Sequence, residues 1–415
     1  MTTDLSAART AAYEEFDLLG PLPTGTTVLE ASAGTGKTHT IAALVTRYVA
    51  EGIATIDEML VVTFGRMATQ ELRDRVRGRL VSARDALADP SQAAKAEDPL
   101  IRHLAAEDAP ARWQRLAHAL GSFDTATVAT THEFCRRVLS GLGTAADIDT
   151  NITFVDNVDD LTVEVVQDLY LRMWSRPNAD APPMDVKSAI ELAKAVVSDH
   201  HAQLRPDDGA PNSAADLRFR FARAVREEVE RRKRERYLLT FDDLLTRLQK
   251  TLDADGSGAI AAARLRQRYK VVLVDEFQDT DPVQWDILRF AFHGHTTLVL
   301  IGDPKQAIYA FRGADVHTYL AADEVAEHRR TLGTNWRSDP DLLAGLEALF
   351  RGAALGDDRI VVRPVAAGHS GRSLSLPGAP IEIRAVRSRH RRRPSPRRRR
   401  GRRRTDRRRA SGHWH

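Results

Sequence analysis

The sequence predicts an α/β fold, a doubly wound parallel sheet with a helical inserted subdomain. Three observations predict it. Short, continuous apolar runs recur at residues 26–31, 58–64, 269–277 and 296–303, the character of strands buried on both faces of a parallel sheet. Segments of helical periodicity alternate with them. A glycine-rich turn joins the first strand to the first helix, where such folds bind anions.

The elements follow in order. "TTVLEA" (Thr26–Ala31) is β-branched and apolar and stops at a glycine turn. "GKTHTIAALVTRYVAEG" reads as a helix ended by Gly52. "EMLVVTF" (Glu58–Phe64) is a second strand, and "ATQELRDRVRGRL" an amphipathic helix with Leu72, Val76 and Leu80 at four-residue spacing. "DTATVATTHEFCRRVL" reads as strand, turn and helix. Residues 82–120, rich in Ala and Asp, and residues 145–235, charged and Pro-punctuated, are too long for loops and read as insertions.

At 415 residues there is room for two or three domains. The single cysteine, Cys135, excludes an intramolecular disulfide, suits a reducing cytoplasm, and reads as a small buried apolar residue. The first 20 residues are acidic without an apolar centre, so no secretory signal is expected. No run of about 18 apolar residues occurs, and no membrane span or membrane partner is expected. Between residues 387 and 415 stand fifteen arginines against one acid, Asp406. Of the net +4, that segment carries +14 and the preceding 386 residues −10. Nucleic-acid binding therefore has to rest on local sites.

"EASAGTGKTHT" holds the first candidate site. Ala31, Ser32, Ala33, Gly34, Thr35, Gly36, Lys37 and Thr38 form a phosphate loop, with Ala31 where the usual G-x-x-x-x-G-K-[ST] pattern has its first glycine. Backbone amides of residues 33–37 would ring a β-phosphate. Lys37 would reach the β- and γ-phosphates of ATP, and Thr38 would hold Mg²⁺. In "VVLVDEFQDTD" a strand ends on adjacent carboxylates: Asp275 for Mg²⁺, Glu276 for the attacking water. In "LIGDPKQAIYAFRGAD", Gln306 follows a strand end and is placed to meet a γ-phosphate. Tyr309, Phe311 and Arg312 stand beside it, with two readings open: stacking on nucleic-acid bases, or core aromatics on a helix.

Seven ordered segments resemble the motifs of superfamily 1 DNA helicases of the UvrD/Rep type. They are the three above with "VVTFGRMATQELRDRV", "TVATTHEFCRRVL", "LLTFDDLL" and "LGTNWRSDPDLL". "EASAGTGKT" and "THEFCRRVL" are most similar to the RecB branch, the helicase–nuclease subunits of RecBCD-type enzymes, where Ala31 is an ordinary variant. The resemblance covers about residues 15–386 and implies a RecA-like P-loop NTPase core. It implies that Thr63 and Phe64 grip single-stranded DNA, and that Thr131, His132 and Phe134 form a second DNA contact. For His132 a hydrogen-bonded structural role is the alternative. It implies that Gln306 senses the γ-phosphate and that Tyr309, Phe311 and Arg312 couple ATP to DNA. Trp336 would stack on adenine, and Arg337 would stabilise the γ-phosphate. Asp242 and Asp243 are expected to be structural. The family often reads adenine through an N-terminal glutamine; the first glutamine here is Gln70, past the loop.

The domains expected from this are a first motor core at 1–145 and 236–330, a helical insertion at 146–235, and the start of a second core at 331–386. The implied function is an ATP-dependent 3′→5′ DNA helicase in recombinational double-strand break repair. It would act on single-stranded and duplex DNA, with RecC- and RecD-like subunits as partners. The family's later motifs and the RecB-type nuclease carboxylates find no match. A motor cut short, binding ATP and DNA with little turnover, is the alternative. For residues 387–415 two readings stand: a basic DNA-binding arm, or the out-of-frame end of a longer reading frame.

Overall fold

The computed structural model describes residues 13–142, 152–155, 157–175, 181–198, 203–205, 210–308, 314–371 and 380–383. The chain runs through β1 (Glu14–Glu15), β2 (Thr26–Glu30), α1 (Lys37–Ala50), β3 (Met59–Thr63) and α2 (Arg66–Leu87). Helices α3 (Pro90–Ala93), α4 (Pro99–Ala105) and α5 (Ala109–Gly121) precede β4 (Thr127–Thr130) and α6 (Thr131–Leu142). Next come β5 (Thr153–Phe154), α7 (Asp159–Trp174), α8 (Val186–Ser198) and α9 (Ala214–Glu235). β6 (Leu238–Leu239), α10 (Phe241–Asp253) and α11 (Ser257–Arg268) lead to β7 (Val271–Val274) and α12 (Pro282–Phe292). β8 (Thr297–Gly302), α13 (Val316–Val325) and β9 (His328–Thr331) follow, then β10 (Thr334–Asn335), α14 (Pro340–Phe350) and β11 (Ala366–Ala367).

Seven of these strands form one wholly parallel sheet in the order β1-β9-β2-β8-β7-β3-β4. This is the doubly wound α/β class read from the sequence. The alternating direction of strand side chains divides the core in two. Val28, Leu60, Val272 and Leu300 face a cluster shared with α6, α10, α11 and α12. Leu29, Val61, Leu273 and Ile301 face a cluster shared with α1 to α5. Both faces of the central strands are thereby buried, which is why β7 and β8 read as unbroken apolar runs. A third cluster, including Leu161, Val165, Ala193, Phe221 and Val225, holds α7, α8 and α9 to one another.

Several local readings differ from the structure. The amphipathic helix after β3 does not stop near Leu80; it continues as a single 22-residue helix to Leu87, because Ala83 and Leu87 extend its buried stripe. α6 begins directly after β4 without an intervening turn. β9, "HRRT", carries no strand signal in its side chains. It forms because β2 offers an open edge, pairing Val28 with Arg329 and Leu29 with Arg330. Its arginines find acids at once: Arg330 contacts Glu14, and Arg329 Nε lies 3.2 Å from Asp323. Among the described residues no helix is long and apolar enough to cross a membrane.

Among the described residues the helical cluster meets the sheet domain at the short parallel pair β5–β6 and at a buried lysine with two acid partners. Lys233 of α9, almost fully buried, donates to Asp243 Oδ1 at 2.7 Å. The other oxygen of Asp243 accepts from Thr240 N at 2.7 Å, completing a capping box at the start of α10. Asp242 beside it is exposed. Lys233 also donates to Glu230 Oε1 at 2.6 Å, so loss of Asp243 leaves the buried ammonium one partner but removes the α10 capping box. Asp243→Ala is expected to lower unfolding free energy by about 2 kcal/mol in urea titration, and Asp242→Ala by less than about 0.5 kcal/mol.

Candidate active site

The parallel register brings the strand ends level. Glu30 pairs with Gly302 on one side and Thr331 on the other. Val62 pairs with Val274, and the Asp275 amide donates to Val62 O at 2.8 Å. The loops after β2, β3, β7 and β8 therefore leave one edge together, the edge at which open α/β sheets bind ligands.

After β2 the chain turns tightly: Thr35 Oγ1 donates to Ser32 O at 2.7 Å. Gly34 and Gly36 take φ of 83° and 84°, the left-handed region. At Gly34 space is also short, since a Cβ there would lie 2.8 Å from Asn335 Oδ1 and 2.9 Å from Arg337 Cβ. α1 starts at Lys37 with no side-chain cap and no acid in its first turn, which leaves its N-terminal amides turned to an anion.

Lys37 Nζ donates to Glu276 Oε2 at 2.5 Å across 239 residues of sequence. Glu276 holds a left-handed backbone (φ 52°), uncommon for a residue with a Cβ. Gln278 Nε2 donates to the same Oε2 at 2.7 Å, while Gln278 Oε1 accepts from the Asp303 amide at 2.9 Å. This needs Gly302, where a Cβ would stand 2.7 Å from Gln278 Oε1. Gln306 Nε2 in turn donates to Asp303 Oδ2 at 2.7 Å. Gln278 thus joins the carboxylate loop to the loop of Gln306, a role that the sequence reading missed. Its signal was position alone, two residues after Glu276.

Asp275, Glu276 and Asp279 put three carboxylates near one ammonium. Burial, then the Glu276 charge, pushes the Asp275 carboxyl up to about 6 against the opposing pull of Lys37. Burial and Glu276 push Asp279 to about 6 as well. Asp279 Oδ1 is buried with no hydrogen-bond partner. This excess of negative charge, with the Thr38 hydroxyl nearby in sequence, fits a divalent cation held by few protein oxygens plus phosphate. Among the described residues no three His, Cys, Asp or Glu side chains gather into a metal cage.

The segment after β9 lies on the phosphate loop. Trp336 N donates to Gly34 O at 2.8 Å, and Asn335 Nδ2 to Ala33 O at 2.9 Å. Asn335 Oδ1 accepts from the amides of Arg337 and Ser338, each at 2.9 Å. Asn335 is therefore the anchor that places its two successors, and the sequence reading passed over it. The Trp336 indole stays 64% exposed and borders a cavity of about 940 Å³. Phe16, Leu19, His39 and Arg79 also line that cavity. The N-terminal segment thus supplies apolar walls beside the loop in the region where a family glutamine was sought.

A second cleft of about 440 Å³ lies at the ends of β3 and β4, lined by Phe64, Arg66, Thr130, His132, Arg136 and Phe241. His132 meets the Phe241 ring edge-on at 5.7 Å. Burial holds its imidazole below the ordinary value, against the opposing charges of Asp242 and Asp281. Thr63 and Thr131 are buried, and the Thr63 hydroxyl is 2.5 Å from that of Thr69. Phe134 requires a correction: it is wholly buried and packs between Tyr269 and Phe292. A ring on the inner face of an amphipathic helix supports the cleft from behind and does not face a ligand. Tyr309, Phe311 and Arg312 lie outside the described residues.

Fold and site together define a RecA-like P-loop core of the helicase kind. The chain belongs to the UvrD/Rep helicase family: residues 17–327 match the UvrD/REP helicase N-terminal domain. It is similar to the RecBCD enzyme subunit RecB of Mycolicibacterium smegmatis, with 54% identity over 88% of this chain and 33% of that protein. The RecB subunit of Mycobacterium tuberculosis is 51% identical over 90% of this chain and 34% of its own length. That of Escherichia coli is 30% identical over 82% of this chain and 39% of its own. The chain spans about a third of the length of the first two relatives.

The raised Asp275 carboxyl carries a pH signature. Between the ordinary Asp value near 4 and about 6, the folded state holds a proton that the unfolded state has lost, so stability falls as pH rises through that window. In nucleotide-free protein with EDTA, Asp275→Asn should therefore stabilise by about 1–3 kcal/mol at pH 8. The gain should vanish near pH 4; urea unfolding at the two pH values measures it.

Proposed function

We propose that the chain is the ATP- and DNA-binding first core of a RecB-type 3′→5′ DNA helicase. It would serve recombinational double-strand break repair in the cytoplasm. The observation that carries this reading is the 2.5 Å contact of Lys37 with Glu276, made on a loop that Trp336 and Asn335 also grip.

The amides of residues 33–37 and the Lys37 ammonium bind the phosphates of ATP, and the apolar cavity takes its base against Trp336. Thr38 and Asp275 would hold Mg²⁺, which would supply positive charge to offset that of the phosphates. Phosphate draws Lys37 away from Glu276. The freed carboxylate, still held by Gln278, accepts the proton of the attacking water. Gln306 leaves Asp303 for the γ-phosphate, and Arg337, exposed beside Gly34, takes up charge as the bond breaks. Phe64 and His132 meet single-stranded DNA in the second cleft, with Thr63, Thr131 and Phe134 behind them. Tyr309, Phe311 and Arg312 relay the sensor's movement to DNA. The chain engages duplex DNA ahead of the single strand, and RecC- and RecD-like subunits are its partners.

A second reading is favoured by α14. None of its residues is buried, and Leu346, Leu349 and Phe350 are exposed. On this reading Arg337 would act without a second γ-phosphate arginine, and lacking such an arginine costs about 10³–10⁵ in rate. The chain then binds ATP and DNA and turns over little.

ATPase activity with and without single-stranded DNA separates the two. The first reading expects DNA-stimulated turnover that falls at least about 100-fold in Lys37→Ala and Glu276→Gln. Equal rates in all three proteins would rule out catalysis by this chain. Strand displacement above the Lys37→Ala control would sink the second reading.

A further inference from the structure

Beside the phosphate loop lies a largely buried set of four charges, of which the mechanism above uses only Asp303, as the resting partner of Gln306. Glu30, the last residue of β2, is 4% exposed and holds two cations. Lys305 Nζ donates to its Oε1, and Arg363 Nε to its Oε2 at 3.0 Å. Lys305 Nζ also lies 2.7 Å from Asp303 Oδ1, and its own amide donates to that oxygen at 3.1 Å. Burial lowers the Lys305 ammonium, but Glu30 and Asp303 together raise it above the ordinary lysine value. Two cations and two anions balance. A continuous chain of contacts thus runs Arg363, Glu30, Lys305, Asp303, Gln306.

The two ends of that chain belong to different parts of the site. Gln306 follows β8. Arg363 stands three residues before β11, which pairs with β10, the strand of Asn335 that precedes Trp336 and Arg337. Any shift of Trp336 and Arg337 on the nucleotide therefore pulls on Glu30 through Arg363. The Arg363 guanidinium sits 4.0 Å over the Tyr13 ring with a buried Nη1 that makes no hydrogen bond, so its hold on Glu30 is a single bond and can be released.

We propose that Lys305 is a positioning residue, which through Asp303 sets whether Gln306 is parked or free, and through Glu30 and Arg363 ties that choice to the segment bearing Trp336 and Arg337. The proposal rests on the reading of Gln306 as γ-phosphate sensor. It gives the buried lysine a task beyond stability, namely discrimination of ATP from ADP.

Equilibrium binding of AMP-PNP and of ADP, each with Mg²⁺, tests it without turnover. The wild type should prefer AMP-PNP, and Gln306→Ala should lose that preference. Lys305→Met and Arg363→Met should lower it about tenfold, with ADP affinity held within about twofold and Lys305→Arg restoring most of it. Because Lys305→Met leaves two buried carboxylates short of a cation, the neutral pair Glu30→Gln/Lys305→Met provides the same readout in a fold under less strain. A preference unchanged in that double variant, while Gln306→Ala loses it, overturns the positioning role. If Gln306→Ala keeps the preference, or Lys37→Ala binds both nucleotides like the wild type, the sensor reading fails and takes the proposal with it.

Discussion

The site depends on parallel pairing. In a parallel sheet every strand leaves by the same edge, and here the register aligns Glu30, Gly302 and Thr331 across three neighbours. Residues 239 apart in sequence meet at 2.5 Å because their strands end at one height. A register slip in β7 or β8 would place Glu276 or Asp303 on the wrong side of its own strand. Gly302 shows how little freedom remains, since Gln278 occupies the space of a side chain.

Onto this edge the fold loads charge that it cannot satisfy alone. Three carboxylates surround Lys37, and burial raises two of them well above the ordinary aspartate range. One strand away, Glu30, Asp303, Lys305 and Arg363 neutralise one another. The contrast is physical. Unbalanced charge marks the part proposed to receive a ligand, and balanced charge the part proposed to transmit its arrival.

The sheet core was legible in the sequence because burial on both faces leaves an unmistakable run of apolar residues at 271–274 and 297–302. The phosphate loop was legible because left-handed turns select glycine, and Gly34 and Gly36 stand where the turn needs them. What stayed hidden was set by partners far along the chain. β9 is a strand because β2 needs a neighbour, and its Arg-rich composition says nothing of it. Asn335 and Gln278 are ordinary polar residues until their acceptors come within 2.9 Å. Phe134 sits within a motif beside groove residues, and only the orientation of α6 turns it into the core. In each case the missing knowledge was which distant element the residue meets once the sheet is assembled.

β2 is the strand that bears the phosphate loop, and both of its neighbours come late: β8 begins at Thr297 and β9 at His328. On a ribosome, β2 emerges with two open edges and waits for about 270 further residues, a delay on the order of tens of seconds. Over that interval a strand that is wholly buried in the finished fold lacks both of its neighbours. α1 can form at once, since its bonds are local, but the loop between them has no support until β8 arrives. Assembly of the nucleotide site is thus a late event in biosynthesis. The nascent chain passes through a long stage in which its most important strand is open to mispairing and to chaperones.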